Sequence, residues 1–229
     1  LQSFGVSYVL NVDSTYNGIA NTGEVVNAEI LDFVGFTYNA NHSNNVIEGI
    51  VAGDGSLVLK LYYSRNSYSI KFYSDGSLYH EATIKYGAEV TIPSNPFKIG
   101  YTFNSWGEVV PTIMPANDLT FNAKFDINKY IVSWKDYDGS ILETDSDVPY
   151  GTIPEYNGET PSKDANAQYT YTFTGWSPVV SEVTGNVEYV AQYSSTVNKY
   201  TVTWKNWDGS ILETDTEVSY GATPEYNGE

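Results

Sequence analysis

Apolar and polar residues alternate in short runs along the chain, and Gly, Pro, Asn and Asp punctuate the runs. Tyr130-Ile-Val-Ser-Trp134 is β-branched and aromatic, which predicts a strand. Asp138-Gly139 predicts a hairpin turn, because Gly tolerates positive φ there. Ile141 to Val148 predicts the returning strand. On a regular strand Leu142, Thr144, Ser146 and Val148 share one face, and Ile141, Glu143, Asp145 and Asp147 the other. Tyr150-Gly151 and Pro154 end that run. Tyr169 to Trp176 and Val187 to Tyr193 predict two more strands, and residues 160–167 one short helical turn.

The same pattern returns. Lys129-Tyr-Ile-Val-Ser-Trp134 reappears as Lys199-Tyr-Thr-Val-Thr-Trp204, and Pro154-Glu-Tyr-Asn-Gly-Glu159 as Pro224-Glu-Tyr-Asn-Gly-Glu229. A diverged copy begins near Tyr68, with Asp75-Gly76, Tyr86-Gly87, Pro93, Tyr101-Thr-Phe103 and Trp106 in the same order. The repeats predict modules at 67–128 and 129–197 and a truncated one at 198–229. Residues 1–66 form a related but different unit. The joints Ser64-Arg-Asn-Ser67, Asp126-Ile-Asn-Lys129 and 194–199 are short and polar, as stiff hinges between beads would be. The expected fold is mainly β: small tandem sheets, beads on a string, with Trp106 and Trp176 in their cores.

Composition narrows the function. The chain has 229 residues, 11 Lys and Arg against 28 Asp and Glu, and a net charge of −17. Nucleic acid is not an expected partner, because phosphate binding needs clustered cations. No apolar run approaches membrane-spanning length. There is no cysteine, so disulfides, thiolate catalysis and Cys-ligated metals are excluded. The first residue is Leu1, and no signal-like segment is visible, so the sequence reads as a window of a longer polypeptide.

Modules 67–128 and 129–197 resemble the Listeria–Bacteroides repeat, the internalin B-repeat type of module. The resemblance rests on the opening strand, the Asp-Gly turn, the Tyr-Gly and Pro pair, Gly100-Tyr-Thr-Phe-Asn-Ser-Trp106, and the closing strands 119–125 and 187–193. Tyr169-Thr-Tyr-Thr-Phe-Thr-Gly-Trp176 keeps the aromatics but lacks the preceding Gly. Residues 1–66 resemble mucin-binding-protein-like repeats through Val34-Gly-Phe-Thr-Tyr38 and Gly53-Asp-Gly-Ser-Leu-Val-Leu-Lys-Leu-Tyr-Tyr63. The resemblance implies a β-grasp-like fold and a place in a long, secreted, wall-associated protein, and carries no catalytic residues. In mucin-binding-like repeats an opening strand precedes the segment that Tyr8-Val-Leu-Asn-Val12 resembles. The first unit is therefore expected to lack that strand.

Candidate chemistry is sparse. His42 lies in a polar loop and His80 on a predicted strand of another module, so no zinc site is expected and no cofactor is implied. No nucleophile elbow, Walker loop or dinucleotide fingerprint occurs. Glu143, Asp145 and Asp147, and likewise Glu213, Asp215 and Glu217, are the candidate calcium ligands. The first copy carries Tyr79, Glu81 and Thr83 at the positions aligned with them, so a solvated, aggregation-blocking edge is the favoured role. Asp136-Tyr-Asp138-Gly139 opens like an EF-hand loop but lacks Gly at the sixth position and Glu at the twelfth. Tyr137 and Trp207 flank equivalent turns and are the candidate exposed aromatics for binding.

The expected function is therefore non-enzymatic: spacer or stalk repeats of an extracellular, adhesin-like cell-surface protein. Two alternatives stand beside it. One is a filament, a homo-oligomer in which the surplus hairpin at 198–229 of one chain completes the open edge of another. The other is a module that binds host glycan or glycoprotein through exposed rings.

Overall fold

The structure is a computed structural model that describes residues 2–4 and 7–228. It divides into two compact units, 1–98 with 103–126 and 99–102 with 127–229. The first takes in the expected segment 1–66 and most of 67–128; the second takes in 129–197 and 198–229.

In the first unit, β1 (Gln2–Phe4), β2 (Ser7–Val9), β4 (Phe36–Tyr38) and β6 (Tyr63–Arg65) form a sheet of order β2-β1-β6-β4, while β3 (Val25–Asn27) and β5 (Glu48–Ile50) make a separate ribbon. A second sheet has the order β10-β7-β8, from β7 (Ser67–Ser74), β8 (Ser77–Lys85) and β10 (Leu119–Asn122). Strands β9 (Tyr101–Ser105) and β11 (Lys124–Ile127) pair with each other, and most of each, 103–105 and 124–126, belongs to the first unit. In the second unit, β12 (Lys129–Lys135), β13 (Ile141–Pro149), β14 (Tyr169–Ser177) and β15 (Val187–Val197) form a sheet of order β13-β12-β15-β14. The hairpin of β16 (Lys199–Lys205) and β17 (Ile211–Ser219) stands as a sheet of its own.

One plan underlies the three larger sheets. A hairpin opens each, and a late strand returns to lie parallel to the hairpin's first strand: β6 on β1, β10 on β7, β15 on β12. In the first and third sheets an antiparallel strand flanks that late strand, β4 on β6 and β14 on β15. This is the mixed β-grasp order. The helix usual in such a crossover is absent: the chain from 152 to 166 runs without helical structure, so the helical turn expected at 160–167 does not form. The sequence there, Pro161-Ser-Lys-Asp-Ala-Asn, offers no apolar stripe to bury. The sole helical turn among the described residues is the short 3-10 turn Val12–Ser14.

Two expectations are corrected. The first sheet does not lack its opening strand, because Gln2–Phe4 pairs antiparallel with β2 and in parallel with β6. The side of β6 that a donated strand would fill is thus occupied by the chain's own residues. Second, Asp147 does not share a face with Glu143 and Asp145. The register steps from Tyr130↔Val148 to Val132↔Asp145, so two residues on β13 oppose one on β12. Asp147 sits at this bulge with φ of 59°. The hairpin β16–β17 repeats the step, and Glu217 has φ of 62°.

The cores are ring stacks. In the first unit Phe72 stacks on Phe121 at 5.4 Å and meets Trp106 edge-on at 4.8 Å, with Ile70 and Met114 beneath them. In the second, Trp134 stacks on Tyr189 and meets Trp176 edge-on, both at 4.8 Å, over Val132 and Val183. Trp106 is buried as expected, and Trp176 is half-buried against the same core. Such rings bury large areas and gain about 0.5–1.5 kcal/mol per pair beyond that area, which lets small sheets hold together.

Candidate functional site

The acidic residues of β13 are already engaged. Asp145 Oδ2 accepts the indole N–H of Trp134 at 2.9 Å. Glu143 accepts the backbone N–H of Asn157 at 2.8 Å, its side-chain amide at 3.1 Å and the N–H of Gly158 at 3.2 Å. Burial pushes the Glu143 carboxyl up, but the donors at Asn157 and Gly158 outweigh it and hold the pKa below the ordinary value. Asp147 faces Lys129 at 4.0 Å. The last hairpin repeats the set: Asp215 takes Trp204, Glu213 takes Asn227 and Gly228, and Glu217 pairs with Lys199 at 3.0 Å. Among the described residues no three His, Asp or Glu side chains converge as a metal site would need. Asp136 and Asp138 are likewise taken up, by the hydroxyl of Tyr193 and by Ser140.

Register also corrects the comparison between copies. Trp134 lies opposite Glu143 and Val132 opposite Asp145, whereas Phe72 lies opposite His80 and Ile70 opposite Ala82. The counterparts of Glu143 and Asp145 are therefore His80 and Ala82, not Tyr79 and Glu81. The shift arises in the turns. Asp75 and Gly76 both have positive φ, 48° and 77°, as in a two-residue type I′ loop. The other turn has three loop residues, with Gly139 N–H donating to Asp136 O and Asp136 N–H to Ser140 O.

Tyr137 and Trp207 differ despite equivalent positions. Tyr137 meets Tyr193 edge-on at 5.7 Å and carries the Lys163 ammonium 4.2 Å above its ring. Lys163 lies over Tyr171 as well, at 4.4 Å, so the lysine is gripped by two rings. Trp207 is 93% exposed. The two histidines lie apart: His42 stacks flat on Tyr62 at 3.8 Å, and His80 lies near Phe72.

Two hollows among the described residues stand out, and neither gathers carboxylates. The larger, about 770 Å³, is an apolar groove lined by residues such as Phe33, Phe36, Arg65, Tyr86 and Met114. The smaller, about 220 Å³, has Glu182 as its single acid. A pair of carboxylates poised for acid–base work is thus absent from both.

The most regular constellation lies at the joints. Asn66 N–H donates to Gly35 O at 2.8 Å, Asn66 O accepts from Tyr86 N–H at 2.8 Å, and Thr37 Oγ1 donates to Asn66 Oδ1 at 2.6 Å. Within the second unit Asn128 makes the same three bonds, with Gly100, Tyr150 and Thr102, at 2.9, 2.8 and 2.7 Å. Asn198 makes them again with Gln168, Tyr220 and Thr170, at 2.8, 2.9 and 2.7 Å. Gly35 and Gly100 have φ of 78° and 75°, and a Cβ on either would collide with the ring of Tyr86 or Tyr150. These asparagines and threonines were not singled out above. Their signal was available, since an Asn stands in each of the three joints and Gly35-Phe-Thr37, Gly100-Tyr-Thr102 and Gln168-Tyr-Thr170 align.

Comparison with known proteins follows the same lines. Residues 68–124 match the Listeria–Bacteroides repeat domain. Over 179 residues, 72% of the chain, it is 28% identical to a putative Gly-rich membrane protein of Evansella cellulosilytica. Over 121 residues, 48% of the chain, it is 34% identical to internalin H of Listeria monocytogenes. The aligned part spans about a fifth of the length of each. Among solved structures, domains 3–4 of the Streptococcal High Identity Repeats in Tandem from a cell surface protein align with a TM-score of 0.26 and 14% identity, over 57% of this chain and 99% of that one. No helix among the described residues is long and apolar enough to cross a membrane. The chain is thus a repeat protein that carries a Listeria–Bacteroides repeat domain at residues 68–124 and is similar to an internalin.

Proposed function

We propose that this chain is a spacer segment of an extracellular, wall-associated surface protein, holding an adhesive or enzymatic head away from the cell. The observation that carries this reading is the joint: one hydrogen-bonded asparagine, built the same way three times. A joint repeated with one geometry suits an array of stacked modules whose role is to set reach. A quasi-linear array transmits length through nearest-neighbour contacts. The net charge of −17 favours solubility and self-repulsion, and the cores are held by packed rings and aliphatic side chains without any disulfide. Residues 1–66, which resemble a mucin-binding-like repeat, serve in this reading as one more bead.

Force extension of single molecules tests the proposal. Each module of 67–128 and 129–197 should yield as a discrete event, releasing about 20–25 nm of chain at roughly 3.3–3.6 Å per residue. Smooth extension at low force, without steps, would overturn it. A glycan-binding reading draws on exposed rings such as Trp207 and Tyr137, and an array of host glycans and mucins should show no retention of the chain.

A further inference from the structure

The three joints share their hydrogen bonds but not their packing. At the first, the ring of Tyr86 lies against the Cα of Gly35, and at the second the ring of Tyr150 lies against Gly100. Both rings are half-buried. Each glycine is required twice over, by its positive φ and by the absence of a Cβ where the ring lies. At the third joint the residue is Gln168, which has a Cβ and does not adopt positive φ. Tyr220, the counterpart of Tyr86 and Tyr150, is 48% exposed there. The rings of Tyr86 and Tyr150 also sit beside later segments of their own repeats, where Gly87 N–H donates to Met114 O and Gly151 N–H to Val183 O, so the contrast between the joints is the seat itself, glycine against Gln168.

We infer that the joints are graded: the Tyr86 ring seated on Gly35 locks the first, and Gln168 leaves the third as the compliant one. The physical distinction is between a steric stop and exchangeable polar contacts. A ring pressed on a backbone blocks rotation about the joint, since closer approach meets atomic overlap. The third joint keeps the three bonds of Asn198 and adds two, Asn198 Nδ2 to Asn166 O at 2.6 Å and Tyr200 OH to Ala167 O at 2.5 Å. These side-chain bonds are exposed, as is that from Thr37 to Asn66 at the first joint, so water can replace each partner, and the ring on the glycine is what distinguishes the first joint. The first joint has further contacts around its ring, the Arg65 guanidinium on Tyr86 O and Phe36 edge-on to the ring at 5.7 Å. A single Gly-to-Gln difference thus tunes bending without altering the fold of either neighbour. In a spacer array, repeats with glycine would hold direction and repeats with glutamine would let it turn. This inference rests on the spacer reading for its purpose, though not for its geometry.

The absence of cysteine allows clean spin labelling of the full chain. Paired cysteines replacing Glu48 and Thr83 report on the first joint, and cysteines replacing Thr172 and Thr214 on the third. Double electron–electron resonance should give a broader distance distribution across the third joint than across the first. Gln168→Gly should narrow the third distribution, and Tyr220→Ala should cancel that narrowing while changing nothing in the parent chain. Gly35→Gln should broaden the first; if that variant unfolds, the Gln168→Gly and Tyr220→Ala pair decides alone. Equal widths in the parent chain, or a third joint indifferent to Gln168→Gly, would overturn graded joints. Either result would leave the spacer reading standing, since that reading fails on the force-extension test instead.

Discussion

Asp145 Oδ2 stands 2.9 Å from the indole nitrogen of Trp134, a ring that is almost wholly buried. In the preceding module the two positions hold Phe72 and Ala82, as the shared register shows. Where the ring has an N–H the strand supplies an acceptor, and where it has none the strand supplies a methyl group. Trp204 and Asp215 repeat the first arrangement. The acid on this strand is therefore a partner for tryptophan.

Asp145→Ala should destabilise the second unit by about 1–3 kcal/mol, the cost of leaving a buried donor unpaired. Trp134→Phe combined with Asp145→Ala should cost less than the sum of the two single changes, because the orphaned donor is then gone. Urea unfolding of the four proteins measures the coupling, and strict additivity would refute the pairing.

Glu143 ties residues 157–158 to β13 through three hydrogen bonds. Its folded pKa is depressed, since those donors outweigh the opposing effect of burial. The tie is therefore present above the unfolded value, about 4.3 for Glu, and is lost as pH falls through the lower folded value. The Asn157 amide resonance should shift in that acid window. In Glu143→Gln its titration should vanish, and a persistent shift there would assign it to another group.

Tyr193 donates its hydroxyl to Asp136 at 2.7 Å. Burial first, and then that bond and the Asp136 charge, push its pKa well above the ordinary phenol value. Its contribution to stability is complete below about 10 and is lost as pH rises toward the raised folded value. Ultraviolet titration should show Tyr193 ionising after the exposed tyrosines. Asp136→Asn should bring it down toward them; an unchanged titration would mean the hydrogen bond has no hold on the phenol.

Calcium should do little. Asp145 and Glu143 already accept hydrogen bonds, and Asp147 lies at the bulge near Lys129. Millimolar Ca²⁺ should leave the thermal midpoint unchanged, whereas a ligand bound only by the folded state would raise it. A rise of several degrees that Asp147→Asn removed would restore the cation site.

Gly100→Ala places a methyl group into the ring of Tyr150 at a positive φ. It should cost more stability than Gly139→Ala, where φ is 88° but open space surrounds the Cβ. Backbone strain alone is worth about 1–3 kcal/mol, so the difference between the two variants reports the ring contact. Thermal melts of both check it, and equal losses would show that Tyr150 yields freely.

What the sequence determined by itself was whatever depends on near neighbours along the chain. Alternation set the strands at Tyr130–Trp134 and Val187–Tyr193, and the Asp-Gly pairs set the turns. Strict alternation could not reveal the bulge at Asp147, because a bulge is defined by the partner strand: two residues of β13 must oppose one of β12 before the face changes. The opening strand Gln2–Phe4 is three residues long and is recognised only by its pairing with β6. Trp134 with Asp145, and Gly35 with Asn66 and Tyr86, are likewise contacts between strands or across a joint. Tertiary structure alone decided them, since hydrogen-bond geometry and ring contact depend on position in space, and residues far apart in the chain acquire that only when the sheets assemble.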